Sequence, residues 1–312
     1  MNPKISIIVP VLNRQELILR CLDSIAHQTL KPFELIVVDN GSVDLTFSVV
    51  NDWMIRKKSM GIKFQLLTEN RKSAGLARQK GLDKSSGDYV FSFDSDDEMH
   101  PDLIYKVSKK ITENPEADII CWKCRIHMLD GSQKIPSFIP YSPLGSHLIH
   151  TLLRPQGYLV KKTFLIKAGG WSKKLKVWLD YELGVRLLLQ NPVIIFLPEV
   201  LAEIYAQKES LTGVSFSTKE GEWEKTLQEV ERIAAASTLR CRTIILKILK
   251  YRKAILASCY LQERNKEAAL RLMKEAVRNA VFKDRILLKF AHYYTLVGLR
   301  GAWRIIRIPY FF

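Results

Sequence analysis

The sequence predicts an α/β protein, with a mostly parallel sheet covered by helices on both faces and a helical region at its C-terminal end. Three observations carry that reading. Short, β-branched apolar runs alternate with helix-spaced segments through the first hundred residues. Polar residues collect where those runs end, which is the rim at which such sheets bind ligands. From residue 220 onward the apolar spacing is helical to the end.

The elements follow in order. ISIIV at 5–9 is apolar and closed by Pro10, so it reads as a buried strand. Leu17, Ile18, Cys21, Leu22 and Ile25 then recur at helical spacing. ELIVV at 34–38 is a second strand and runs into Asp39-Asn40-Gly41-Ser42. Residues 45–54 read as a helix, KFQLL at 63–67 as a third strand, 74–84 as a helix and YVFSF at 89–93 as a fourth strand. Helices between successive strands demand crossover connections and hence parallel pairing. Farther on, 117–126 and 192–197 read as strands and 180–189 as an amphipathic helix. Cys121 and Cys124 fall within one of these strands, with no second such pair to complete a zinc site. The expected division is an α/β domain over 1–217 and a basic helical region over 218–312.

Charge is uneven. The net charge is +16, yet residues 239–312 alone hold seventeen Lys and Arg against four Asp and Glu. That concentration points to an anionic partner surface. Aromatic and basic residues are not interleaved on a strand platform and no nucleic-acid motif occurs, so no nucleic-acid partner is expected. Residues 243–256 alternate apolar and basic at helical spacing, and 289–312 repeat the pattern with aromatics. This suits helices lying on an anionic membrane; the plain alternative is a helical domain with solvated charges. No run reaches the ~18 apolar residues of a membrane span, and MNPKISIIVPVLNR lacks a secretory pattern. Five irregularly spaced cysteines suit a reducing compartment. The expected location is therefore cytoplasmic, peripheral on the inner face of the membrane. No G-x-G-x-x-G follows the first strand, which disfavours a nicotinamide, flavin or P-loop enzyme.

The fourth strand ends in Asp94, Asp96, Asp97 and Glu98. Like charges ~4 Å apart repel by roughly 4 kcal/mol at an effective dielectric near 20. A divalent cation, a cationic side chain or a helix N-terminus is therefore expected beside them. Helix capping, with a helix starting near Met99, accounts for one or two of the acids. It does not account for Asp94 and Asp96 flanking Ser95 at a strand mouth.

Six segments occur in order: ISIIVPVLNR, FELIVVDNGSVD, AGLARQKGL, GDYVFSFDSDD, GGW and LDYELGVR. Together they resemble a family 2 glycosyltransferase with the GT-A fold, a Rossmann-like sheet. The resemblance implies an inverting transferase using a nucleotide-diphosphate sugar, with a UDP-sugar favoured. It implies a saccharide or lipid-linked acceptor, in surface polysaccharide or glycolipid assembly. Pro10 and Leu12 would line the base pocket, with Leu12 alternatively plain core; Asn13 and Ser42 stand beside it. Asp39 would accept from the base edge, as an acceptor-only carboxylate suits a uracil imide. Asp94-Ser95-Asp96 would be the DxD motif, with Asp96 and Asp94 holding Mn²⁺ or Mg²⁺. Asp97 would be outer-shell or acceptor-side, together with Trp178. Arg78 matches an arginine near donor and metal, or is a surface helix charge. Asp180 matches the second acid of a Glu-Asp pair and would be the base, the helix cap, or both. Leu179 replaces the first acid. Lys208 would pair with the diphosphate or sit solvated in its loop. A non-catalytic nucleotide-sugar binder is the alternative that Leu179 keeps open.

Overall fold

The computed structural model describes residues 3–136, 143–207 and 215–298. They fall into two compact units. One holds 3–136, 153–183 and 190–207; the other holds 143–152, 184–189 and 215–298.

The first unit opens with the alternation read from the sequence. It runs β1 (Ile5–Val11), α1 (Ile18–Ala26), β2 (Glu34–Asp39), α2 (Thr46–Arg56), β3 (Lys63–Thr68), α3 (Ala74–Lys84) and β4 (Tyr89–Ser92). These four strands pair in parallel in the order β3-β2-β1-β4. Val11 is level with Asp39, and Asp39 with Thr68, so the strands end on one rim. The buried runs explain the pairing: Ile7, Ile8, Val9, residues 35–38 and Phe91 are all fully enclosed. Pro10 lies inside β1, but the β4 ladder stops at Ile8 opposite Ser92, so no partner there misses its N–H. At the opposite end, buried Glu34 accepts from Ser6 Oγ at 2.5 Å and from Ser86 Oγ at 3.0 Å. Burial pushes its pKa up, but these donors, with Lys63, outweigh it and leave the carboxyl below its usual range.

The chain continues through β5 (Glu98–Met99), α4 (Leu103–Glu113), β6 (Ile119–His127), β7 (Gln133–Lys134) and α5 (Pro143–His150). Then follow β8 (Tyr158–Lys161), α6 (Lys162–Lys167), α7 (Leu179–Leu188) and β9 (Ile194–Tyr205). The sheet order is β3-β2-β1-β4-β8-β6-β9-β5, with β7 beside β6. β8 is antiparallel to both neighbours, and parallel pairing resumes between β6 and β9. Two expectations are corrected. No helix starts at Met99: Glu98 and Met99 pair with Glu203 and Ala202, and the helix waits until Leu103, past Pro101. The acid cluster is thus not a helix cap. β9 also runs well past residue 197. Its register jumps between Leu197 and Val200, so Pro198 sits in the irregularity, where its missing N–H costs no ladder bond.

The second unit is helical: α5, the end of α7, α8 (Glu222–Ala235), α9 (Leu239–Gln262), α10 (Lys266–Val277) and α11 (Phe282–Leu296). Trp223, Leu227, Ile248, Leu249, Tyr260 and Leu272 are enclosed in its core. Arg252 of α9 caps the last carbonyls of α5, donating to Leu148 O at 2.9 Å and Ile149 O at 2.7 Å. Lys253 is buried between Glu231, at 2.8 Å, and Glu275, at 3.2 Å. Among the described residues no helix is long and apolar enough to cross a membrane.

Candidate active site

The rim after β1 and β2 is a hydrogen-bonded loop pair. Asn13 takes the left-handed conformation (φ 50°), which asparagine tolerates. Its N–H donates to Ser42 Oγ at 2.9 Å, and its Oδ1 accepts from the Val43 N–H at 2.9 Å. Asp39 Oδ2 accepts from the Ser42 N–H at 3.2 Å. Asp39 Oδ1 is buried without a hydrogen-bond partner. Pro10 and Leu12 are both half-buried at the end of β1.

α3 brings in Arg78. Gly81 lets the helix lie directly on β1, since a Cβ there would stand 2.4 Å from Ile8 Cγ2. Ser73 caps the helix start, and its own N–H donates to Asn40 Oδ1 at 3.0 Å. Arg78 is then buried, not a surface charge. Its Nε donates to Ser92 Oγ at 3.2 Å and its Nη2 to Asp94 Oδ1 at 2.7 Å; Nη1 lies 3.7 Å from Asp180 Oδ2. Burial works against the guanidinium's charge, but Asp180 and Asp94 outweigh it and hold its pKa above the usual value.

Asp180 opens α7. Burial pushes its carboxyl above the usual range; Arg78 opposes the shift and Asp94 adds to it. Its Oδ1 is buried, with the Trp171 indole N–H near enough to oppose the shift as well. Leu179 packs on α3: a Cβ added at Gly75 would lie 3.1 Å from Leu179 Cδ2. Gln79 ties α3 to the turn before α7, accepting from the Trp171 N–H at 2.9 Å. Trp178 has φ 50° and its ring stands 5.9 Å from that of Tyr181.

The acids after β4 are separated by their partners. Gln156, in the turn before β8, donates from Nε2 to Asp94 Oδ2 at 2.6 Å and to Asp97 Oδ2 at 2.5 Å. The Gln156 carbonyl accepts from Trp122 Nε1 at 2.8 Å, which fixes that turn on β6. Asp97 Oδ1 accepts from the Tyr205 N–H at 2.9 Å. Asp96 lies 3.7 Å from Arg14 Nε, and its carbonyl accepts from Arg20 Nη2. The Arg20 guanidinium covers the Tyr205 ring at 3.9 Å, and His127 stacks on Tyr205 at 4.6 Å. Burial and then Asp94 raise the pKa values of Asp96 and Asp97. Ser95 is buried between the acids. The cations expected beside the cluster are thus Arg78, Arg14 and Arg20. Arg20, Gln156 and Tyr205 escape sequence reasoning: none lies in an apolar period or beside the motif they serve. Lys208 lies outside the described residues.

Among the described residues no three acid, histidine or cysteine side chains converge as a metal cluster. Both oxygens of Asp94 are taken by Arg78 and Gln156, and both of Asp97 by Gln156 and Tyr205. Asp96 keeps a carboxylate with only a loose contact to Arg14. This donor set fits a hard cation held by one protein carboxylate together with substrate phosphates, the usual way Mg²⁺ is bound.

The chain is similar to known glycosyltransferases. A glucosyltransferase of Campylobacter jejuni, described as GalNAc(5)-diNAcBac-PP-undecaprenol beta-1,3-glucosyltransferase, is 36% identical over 111 residues, 36% of this chain and 35% of its own. Glycosyltransferase GlyA of Streptococcus pneumoniae is 38% identical over 121 residues, 38% of this chain and 16% of its own. The chain therefore spans well under half the length of these two relatives. The crystal structure of S. aureus TarS 1–349 with UDP-GlcNAc superposes with a TM-score of 0.68 at 19% identity, covering 97% of this chain and 91% of that one. This shows the shared GT-A-type fold. The family described as "Glycosyl transferase family 2" matches residues 6–162, half of the chain. The chain belongs to glycosyl transferase family 2.

Proposed function

We propose that the chain is an inverting glycosyltransferase moving a sugar from a UDP-sugar to a hydroxyl of a saccharide or lipid-linked acceptor. The setting is surface polysaccharide or glycolipid assembly at an anionic membrane surface. One observation carries the reading. Among the described residues, the carboxylate oxygens buried outside hydrogen-bond geometry belong to Asp39, and to Asp180, which has the Trp171 indole N–H beside it. Buried acceptors are rarely left unpaired, so each exception calls for a ligand. The two sit at the positions matched to the base and to the acceptor hydroxyl.

In this reading Asp39 Oδ1 accepts the imide N–H of uracil, with Pro10 and Leu12 against the ring and the Asn13–Ser42 pair fixing the loop. Arg78 holds Asp94 and Asp180 in place. Asp96 would hold a divalent cation, with the donor diphosphate supplying further oxygens. Bound Mn²⁺ or Mg²⁺ supplies Lewis-acid stabilisation of charge on the departing UDP. Asp180 takes the hydroxyl proton as the acceptor oxygen bonds to the anomeric carbon and the bond to UDP breaks. One displacement inverts the centre. The raised pKa of Asp180 suits a general base; burial supplies most of the shift and Asp94 adds to it, with Leu179 where the paired acid would stand. Trp178 faces the acceptor side and Lys208 adds a point charge to the diphosphate, whereas Asp97, buried with both oxygens paired, takes the outer-shell role. The undecaprenol in the Campylobacter relative's name supports a lipid-linked acceptor.

Calorimetric titration with UDP, with and without Mn²⁺ and with GDP as control, tests the donor site. Metal-dependent UDP binding that Asp96→Ala and Asp39→Ala both abolish is expected. Asp180→Asn is expected to bind UDP but transfer nothing. Unchanged turnover in Asp96→Ala sinks the reading. UDP binding by the wild-type chain with no transfer to any saccharide or lipid-linked acceptor favours the alternative of a non-catalytic binder, for which Leu179 speaks.

A further inference from the structure

α11 buries one face and exposes another that is also apolar. Leu288 and Ala291 are buried in the second unit, where Ser258 Oγ donates to the His292 carbonyl at 2.9 Å. On the outer face Phe282 is 79% exposed, Ile286 52%, Phe290 50%, Tyr293 68% and Val297 61%. At about 100° per residue these five fall within about 40° of one line along the helix. Scattered exposed apolar residues are ordinary, but five in register, three of them aromatic, form a patch.

The patch is rimmed by one sign of charge. Lys283 and Lys289, both exposed, flank the line at about 60° on either side, and Arg285 lies about 40° beyond Lys289. The acid of this helix, Asp284, points away from the patch and sits 3.7 Å from Lys247 of α9. The covering partner must therefore be apolar and anionic together. A second copy on the same face would set lysine rims against lysine rims. Residues 299–312 hold three arginines and no acid, so the same repulsion counts against them. A bilayer with anionic headgroups meets both demands.

We propose that this face of α11 beds into the interface of an anionic lipid bilayer. Phe282, Ile286, Phe290 and Tyr293 reach the acyl boundary, while Lys283, Arg285 and Lys289 meet headgroup phosphates. The inference gives a definite surface to the proposed work at a membrane and rests on that part of the reading.

The test is co-sedimentation of the full chain with phosphatidylcholine vesicles, with and without phosphatidylglycerol, at low and high salt. The wild-type chain is expected to sediment with the anionic vesicles and to be released by salt. Ile286→Glu/Phe290→Glu and, separately, Lys283→Glu/Lys289→Glu are each expected to weaken binding by at least about tenfold. All four positions are exposed, so circular dichroism and UDP titration of both variants should match wild type. Absence of wild-type sedimentation, or wild-type sedimentation by both variants, overturns the proposal. So does a loss of self-association in the first variant with vesicle binding intact. UDP titration stands apart: vesicle binding without UDP binding would fail the donor reading and leave this one in place.

Discussion

Replacing Gln156 with leucine keeps the side chain's bulk and removes the two donors that separate Asp94 from Asp97. Hydrogen bonds to charged acceptors are worth about 1.5–3 kcal/mol each. The bond to Asp97 counts near the upper end because Asp97 is buried. The bond to Asp94 counts near the lower end, since that side chain is a third exposed and water can replace the donor. A loss of about 4 kcal/mol follows where both carboxyls are ionised. The loss should depend on pH with a definite sign. Burial already lifts Asp97 above its unfolded pKa, and Gln156 restrains that lift. Without Gln156 the folded value rises further. The added penalty is absent below the wild-type folded value, which already lies above the unfolded one, and full above the variant's still higher folded value. Urea unfolding at several pH values measures it. Hydrogen exchange of the β4 peptide reports the first unit by itself, since two units need not unfold together. A loss that stays level between acid and alkaline pH, or that falls below about 1 kcal/mol, refutes the reasoning.

Three further outcomes are expected. Arg78→Met should destabilise the first unit by about 3–5 kcal/mol by stranding Asp94 and Asp180, with Arg78→Lys intermediate in chemical denaturation. Gly170→Ala should cost more than about 1 kcal/mol in thermal unfolding, because φ is +64° and the new Cβ would stand 2.2 Å from Gln79 Oε1. Asp96→Asn should raise stability at neutral pH. Its folded pKa is raised by burial and by Asp94, so the native carboxylate is a penalty relieved as pH falls from the folded value to the unfolded one; a gain that persists in acid contradicts this.

The parallel half of the sheet is legible because burial on both faces writes each strand as an unbroken apolar run. β1 to β4 and the helices between them lie within two residues of the positions read from spacing. Pro10 marks where β1 outruns β4, not where it ends. β9 is misread for the complementary reason: Pro198 looks like a stop, and only the bulge against β6 shows why it is not. The acids of the site are legible because crowded charge at a strand mouth is anomalous. Their partners are not. Gln156 and the Tyr205 backbone reach Asp97 from 59 and 108 positions away, and an amide or an N–H leaves no mark in a sequence. Leu179 reads as a departure from an acidic pair, and the structure gives it a packing role against Gly75.

The late insertion of β8 between β4 and β6 has a consequence for how the chain is made. At roughly 5–20 residues per second, Tyr205 leaves the ribosome roughly five to twenty seconds after Asp97. Until Gln156 and β8 follow, the outer edge of β4 has no neighbour, and a bare strand edge is a template for pairing with other nascent chains. Asp94, Asp96, Asp97 and Glu98 stand at the end of that edge, with Arg14, Arg20 and Arg78 already made but Gln156 and Tyr205 still to come. In the finished protein Gln156 pairs Asp94 and Asp97; in the half-built sheet the same acids are charges flanking an apolar strand, the placement that disfavours pairing with other chains.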